Sequence, residues 1–384
     1  MVFPDIQTRA ERFLRGDPAF SFASPGVLIG ALLATSFVVQ LLVSPRWGSL
    51  SDRIGRRPVF VGCQLLSALA LLVYGSAETY ALLLVSRTLS GLGSANVAVA
   101  QAYLADLTSA EGRAAGMGRI SAAVSAGLIA GPALGGFLAH SGGNRLVGFV
   151  GAALSAFGAV LALVAMRRIP PAPKAATEER RPWRAIDLSL LGRYPAIRPL
   201  ILVSVVASFA LATLEGTFGR LIARLLGFGE REFGIVFSYE SLLAVGMGAF
   251  GLAWLAARID RATLLRGAFV VQGIGLALFP AAGTLAALIP GMVALLFAST
   301  LYGLGSGVVN PTVSAATSAV VPSERQGELF GVLQIARNFG FVVGPILGGR
   351  LFDLDPIGPY LFAGAVSVLA ATFVPRTISG PATA

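Results

Sequence analysis

Two glutamates and two arginines stand inside runs of apolar residues, and any chemistry of this chain begins with them. Glu215 lies deep in LVSVVASFALATLEGTFG and Glu240 in FGIVFSYESLLAVG; Arg87 lies in ALLLVSRTLSGLG and Arg337 in LQIARNFGFVVGP. A carboxyl shut away from water favours its proton over its charge, so Glu215 and Glu240 are candidates to bind and release a proton. The competing expectations are a permanent salt bridge from Glu215 to Arg220 or Arg337, and a headgroup-level place for Glu240. An ionisable group in an apolar span is costly and is a functional candidate by default. Arg87, about a third of the way into its run, has the alternative of snorkelling toward headgroups. Asn96, Gln101, Tyr239, Asn310, Gln334 and Asn338, with Arg337, are candidates to line a substrate cavity, or to hydrogen-bond between helices. Phe209, Phe218, Tyr239 and Tyr302 offer that cavity an aromatic lining.

Other chemistries are excluded by what the chain lacks. One Cys (Cys63) and one His (His140) leave no disulfide framework, zinc cluster or Cys/His pair. Paired carboxylates at helical spacing are missing, as is a G-x-x-x-x-G-K-S/T loop for ATP. The expectation is no enzyme, no metal and no cofactor.

The elements that position these groups follow from composition. Of 384 residues, 55% are hydrophobic and only 12% charged, against about 25% charged in soluble chains. The apolar residues form blocks of about twenty, long enough to cross a bilayer as helices. The approximate spans are 25–45, 58–77, 80–105, 114–139, 146–166, 197–223, 232–257, 264–284, 287–319, 327–350 and 357–374. The chain is therefore an all-α, polytopic membrane protein with about eleven spans. Its net charge of +10 sits in short loops, where Lys and Arg set topology, so nucleic acid is not expected as a partner. Loops around Arg46 to Arg57, Arg113, Arg167 to Arg184, Arg258 to Arg266, Arg325 and Arg376 alternate with loops poor in these residues, around Glu78, Gly142 to Arg145, Gly283 and Asp353 to Gly358. The basic set is expected in the cytoplasm, together with the polar linker 167–196 and the tail 377–384. Residues 5–24 then form an outer loop.

The chain also repeats itself. GLIAGPALGG (Gly127 to Gly136) returns 213 residues later as GFVVGPILGG (Gly340 to Gly349), and Leu50 to Arg56 returns more weakly as Leu255 to Arg261, offset by 205. Two related halves joined by a polar linker mark a duplicated transporter fold, with bundles at 1–166 and 197–376. Subtracting either offset from the start of the second half places the matching helix about 8 to 16 residues before Met1. The expectation is twelve spans in the natural protein, with Met1 to Pro4 the tail of the first; the alternative is a true eleven-helix chain.

Trp47-Gly48-Ser49-Leu50-Ser51-Asp52-Arg53-Ile54-Gly55-Arg56-Arg57-Pro58 joins the first two complete spans. Taken alone it is a basic topology loop in which Asp52 seeks a helix N-terminus or an arginine. Its order, G-x-L-x-D-R-x-G-R-R, closely resembles the loop motif of the major facilitator superfamily, and the resemblance covers essentially the whole chain. It implies two six-helix bundles related by a pseudo-twofold axis that rock about a central site. It implies a gate in which Gly48, Asp52, Arg53, Gly55 and Arg56 dock at the cytoplasmic face, with Arg56 pairing Asp106 and Arg113 nearby. In the second copy Ala257 and Asp260 replace the Asp and Gly. Gly127, Gly131, Pro132, Gly135 and Gly136 resemble the antiporter motif of drug:proton exporters, and Arg87 with Gly91 resembles their fourth-helix motif. The implied activity is proton-coupled export of hydrophobic or cationic drugs, of the tetracycline and multidrug branch. A metabolite or sugar exporter, or a truncated non-transporting protein, are the alternatives. The implied partners are a small-molecule substrate, protons and the lipid of the cell membrane, for a monomer. The acidic residue such exporters carry in their first helix has no counterpart in the spans assigned here.

Overall fold

The computed structural model describes residues 3–15, 20, 23–108, 110–166, 189–322 and 325–375. Residues 167–188 of the expected linker and the tail 377–384 lie outside these, as does the side chain of Arg113. Among the described residues every regular element is a helix: α1 (Phe3–Leu14), α2 (Pro25–Ile54), α3 (Arg56–Ser76), α4 (Tyr80–Leu92), α5 (Asn96–Leu107), α6 (Ala110–Ala165), α7 (Ser189–Arg193), α8 (Ile197–Leu226), α9 (Glu230–Gly246), a π turn (Met247–Gly251), α10 (Leu252–Ala256), α11 (Arg261–Leu278), α12 (Ala281–Leu285), α13 (Gly291–Val320), α14 (Gln326–Leu354) and α15 (Gly358–Phe373). Among the described residues nine stretches are long and apolar enough to cross a membrane. One of them, Gly116–Ala165, is two helices broken at Gly143, whose φ of 66° only glycine adopts easily. With the shorter Gly358–Phe373 the number of apolar helices agrees with the eleven expected from sequence. Large side chains such as Phe250, Leu288 and Phe297, at 80%, 82% and 60% exposure, are sensible only against lipid.

The N-terminal expectation needs correction. Residues 5–24 are not simply a loop: helix runs from Phe3 through Leu14, with Asp5, Ile6, Gln7, Arg9 and Ala10 buried. Its polar residues misled the reading, because Asp5 accepts from the Tyr74 hydroxyl and Arg9 donates to the Tyr74 and Ala77 carbonyls inside the protein. Asp353 is likewise helical, inside α14.

Two compact units emerge, residues 1–22 with 31–181 and residues 23–30 with 182–384. In the first, α3 packs on α4 and α6, and Gly75 and Gly148 let α3 and α6 meet backbone to backbone: a Cβ on Gly148 would lie 2.4 Å from Gly75 Cα. In the second, α8 and α14 are the main pair. The second copy of the glycine motif explains why. Cβ atoms on Gly340 and Gly344 would sit 2.6 and 2.8 Å from the carbonyl oxygens of Val205 and Phe209. Gly349 instead meets Gly26, whose oxygen would be 1.9 Å from an added Cβ. The first copy is less filled: a groove was expected at Gly127, yet nothing lies within 4 Å of a Cβ there. Gly349→Ala is therefore expected to lower stability by about 1–3 kcal/mol through overpacking, whereas Gly127→Ala gains up to about 1 kcal/mol of helix propensity. Thermal unfolding in detergent compares the two.

The weaker repeat has kept a different role. Asp260 caps α11 by accepting from Thr263 N at 2.9 Å, and that hydrogen bond holds its exposed carboxyl below the usual carboxylate range.

Candidate functional site

In the first unit the sequence-predicted loop motif builds an ion-pair cluster. α2 ends at Ile54 and α3 begins at Arg56, with Gly55 at φ 96° making the corner. Arg56 Nε donates to Asp106 at 2.9 Å, its Nη1 donates to Ser51 Oγ at 2.6 Å, and it pairs with Asp52 one turn back. Asp52 and Arg53 are exposed and nothing lies within 4 Å of a Cβ on Gly48. Arg57, which the motif reading left unused, donates to the Leu163 carbonyl of α6, and Trp47 Nε1 donates to Leu92 O at 2.7 Å. A single guanidinium held by two carboxylates is a contact with an electrostatic strength that depends on both staying in place.

Arg87 does not snorkel. It is 6% exposed, its guanidinium stands 5.9 Å from the Tyr74 ring, and its Nε has no hydrogen-bond partner among the described residues. Tyr74, fully buried on α3, is the centre of a cluster that sequence reasoning missed. Its hydroxyl donates to Asp5 at 2.6 Å, its carbonyl accepts from Arg9 Nη1 at 2.9 Å, and the Arg9 guanidinium stands 5.4 Å from its ring. Arg9 also donates to the Ala77 carbonyl. Asn144, just past the Gly143 break, turns its amide nitrogen to both Asp5 oxygens (2.6 and 2.8 Å) and its oxygen to Arg9 Nε at 2.9 Å. The available signal was the i, i+4 spacing of Asp5 and Arg9 on one helical face. Of the other expected cavity residues here, Asn96 Nδ2 donates to Gln64 at 3.1 Å, and Gln101 is exposed. In the antiporter motif Gly135 and Gly136 are buried, Gly131 and Pro132 partly so, and the helix continues through Pro132.

In the second unit α8 and α9 bring Glu215 and Glu240 within electrostatic reach of each other. Glu215 is half-buried and Glu240 is 7% exposed. Ser306 Oγ on α13 lies 3.5 Å from Glu240 Oε1 and also 3.3 Å from the Gly303 carbonyl. Beside it Tyr239 and Thr300 share a hydrogen bond of 2.9 Å. Arg220 pairs with Asp353 at 2.9 Å, and Asp353 also accepts from Gly26 N at 2.7 Å, capping the start of α2. Sequence reading assigned neither of these roles. Arg337 donates to Ser314 Oγ at 2.8 Å, and one turn of α14 joins Gln334 to buried Asn338 at 3.0 Å. The Asn310 carbonyl accepts from Ser314. The aromatic expectation needs correction: Phe218 and Tyr302 are 0% exposed and belong to a packed cluster with Phe233, Phe237, Phe279 and Tyr360. They are core, because edge-to-face packing of rings outcompetes an open lining. Among the described residues no group of His, Cys, Asp and Glu is disposed to hold a metal.

Polar and ionisable groups thus stand inside two apolar helical units. The chain is 30% identical over 346 residues to Multidrug resistance protein 1 of Bacillus subtilis (strain 168), covering 88% of this chain and 84% of that one. It is 30% identical over 340 residues to the class D tetracycline resistance protein of Salmonella ordonez, covering 84% and 79%. The nucleoside transporter NupG has the same fold, with TM-score 0.75 at 16% identity over 97% of this chain and 94% of that one. A family model described as Major Facilitator Superfamily matches residues 17–286 and 200–383. The chain is thus a member of the Major Facilitator Superfamily.

Proposed function

We propose that the protein exports hydrophobic or cationic drugs across the cell membrane by alternating access, driven by protons moving the other way. The observation that carries the coupling is the pair Glu215 and Glu240, two carboxyls within electrostatic reach in an apolar bundle. A membrane-embedded acid serves as a proton carrier, since binding a proton removes the cost of its charge. Arg87 is a buried cation of the first unit and takes part in proton transfer there. The names of the relatives support drugs as the cargo. Asp52, Arg56 and Asp106 serve as a gate because ion pairs that exist in one state and not the other shift the balance between them.

The test is transport of a panel of drugs in a pump-deficient host and in vesicles, with the proton gradient intact or collapsed. Export unchanged by collapse removes proton coupling; no export of any compound in the panel removes the drug assignment. Asp52→Asn is expected to slow cycling without altering which drugs are carried, measured as transport rate across the panel. A changed spectrum would count against a gating role.

A further inference from the structure

Glu240 is poorly served by hydrogen bonds for a group proposed to release a proton. Its one neighbouring donor among the described residues is Ser306 Oγ, at 3.5 Å, and that hydroxyl's single hydrogen is also directed at the Gly303 carbonyl. An ionised carboxylate buried with so little support is unstable, because it has left water's hydrogen bonds without replacing them. Nearby, the reverse problem exists. Tyr302, 0% exposed on α13, has a hydroxyl with no hydrogen-bond partner. Gln272, 1% exposed on α11, lies beside it with its Oε1 unmatched as well. Buried polar atoms are rarely left unpaired without reason. Tyr302 stands on α13 one turn before Ser306, whose hydroxyl reaches Glu240.

The packing keeps these groups together. Gly303 brings α13 against the α9 backbone at Glu240, where a Cβ would meet the Glu240 carbonyl at 3.0 Å. Gly305 does the same against α11 at Gln272, with a Cβ 2.6 Å from Gln272 N. Helix α13 is thus wedged between the helix carrying the acid and the helix carrying the amide.

We propose that Tyr302 is a positioning residue for coupling: its hydroxyl turns to donate to Glu240 once that carboxyl has lost its proton, and Gln272 orients the tyrosine. The proton itself leaves Glu240 by another route; Tyr302 keeps its own and forms only a hydrogen bond. This inference rests on the proton-coupled reading, and the experiment separates the two.

Purified protein in proteoliposomes is assayed with ethidium as the cationic probe, and its carboxyl C=O stretch is followed by infrared difference spectroscopy over pH. The Glu240 band is the one lost in Glu240→Gln. Tyr302→Phe keeps the ring in its aromatic cluster and removes one oxygen. It is expected to reduce gradient-driven ethidium transport by about tenfold, the loss of one hydrogen bond to a charged group. Exchange at equal pH stays unchanged, and the Glu240 band titrates at a different pH. Gln272→Leu moves both readouts the same way and decides the matter if Tyr302→Phe fails to fold. Wild-type transport that ignores the pH gradient overturns the coupling reading, while the band position still tests Tyr302. An unmoved Glu240 band in the folded variants overturns the proposal.

Discussion

Glu215→Gln is expected to bring gradient-driven export down to the rate measured with no gradient, with expression and membrane insertion intact. Glutamine matches glutamate in size and still hydrogen-bonds, so the helix keeps its packing. What it cannot do is exchange a proton. Glu215 follows buried Leu214 and precedes buried Gly216, Thr217 and Phe218 on a helix otherwise committed to the core. On the reading proposed above, the proton it can carry is the reason for its presence. Glu240→Gln is expected to act in the same direction, since Glu240 lies within electrostatic reach of Glu215. The check is drug flux into inverted vesicles under an imposed pH gradient, with and without an agent that dissipates it. Export by Glu215→Gln at the parental rate would take Glu215 out of the proton path.

The helices were legible because lipid imposes a simple rule: backbone groups must pair within the segment, so apolar length alone marks a span. Boundaries failed where polarity had a hidden partner. Asp5 and Arg9 looked like loop residues, yet a helix holds them because Tyr74 and Asn144, distant in sequence, complete their hydrogen bonds. Asp353 looked like the start of a polar loop for the same reason; Arg220 and the Gly26 amide draw it into α14. The loop motif was legible down to the ion pair between Arg56 and Asp106, because both partners lie at helix ends that a family pattern fixes. Tyr302 and Gln272 were not, since a buried tyrosine and a buried glutamine leave no trace in an apolar pattern. Only the packing of α13 against α9 and α11 brings them together.

Arg9→Met should produce the largest loss of stability of any single side-chain change in the first unit. Arg9 is 6% exposed and donates to the Tyr74 and Ala77 carbonyls, and removing it leaves two buried acceptors without their charged donor, at a cost of about 1–3 kcal/mol each. Methionine fills much of the arginine stem's volume, so the loss isolates the guanidinium. A few residues away, Arg15 and Glu11 form an ion pair in which Arg15 is 74% exposed, and Glu11→Gln is expected to cost less than about 1 kcal/mol. The contrast between a buried and an exposed arginine on the same short stretch of chain separates burial from charge count, and thermal unfolding of the purified variants measures it. The consequence reaches beyond α1. Arg9 and Arg87 both approach the Tyr74 ring, at 5.4 and 5.9 Å, so releasing one guanidinium changes the field and freedom of the ring that meets the other. Arg9→Met unfolding no earlier than Glu11→Gln would mean that the cluster does not hold α1 in place, and that Arg87 is fixed by α3 and α4 alone.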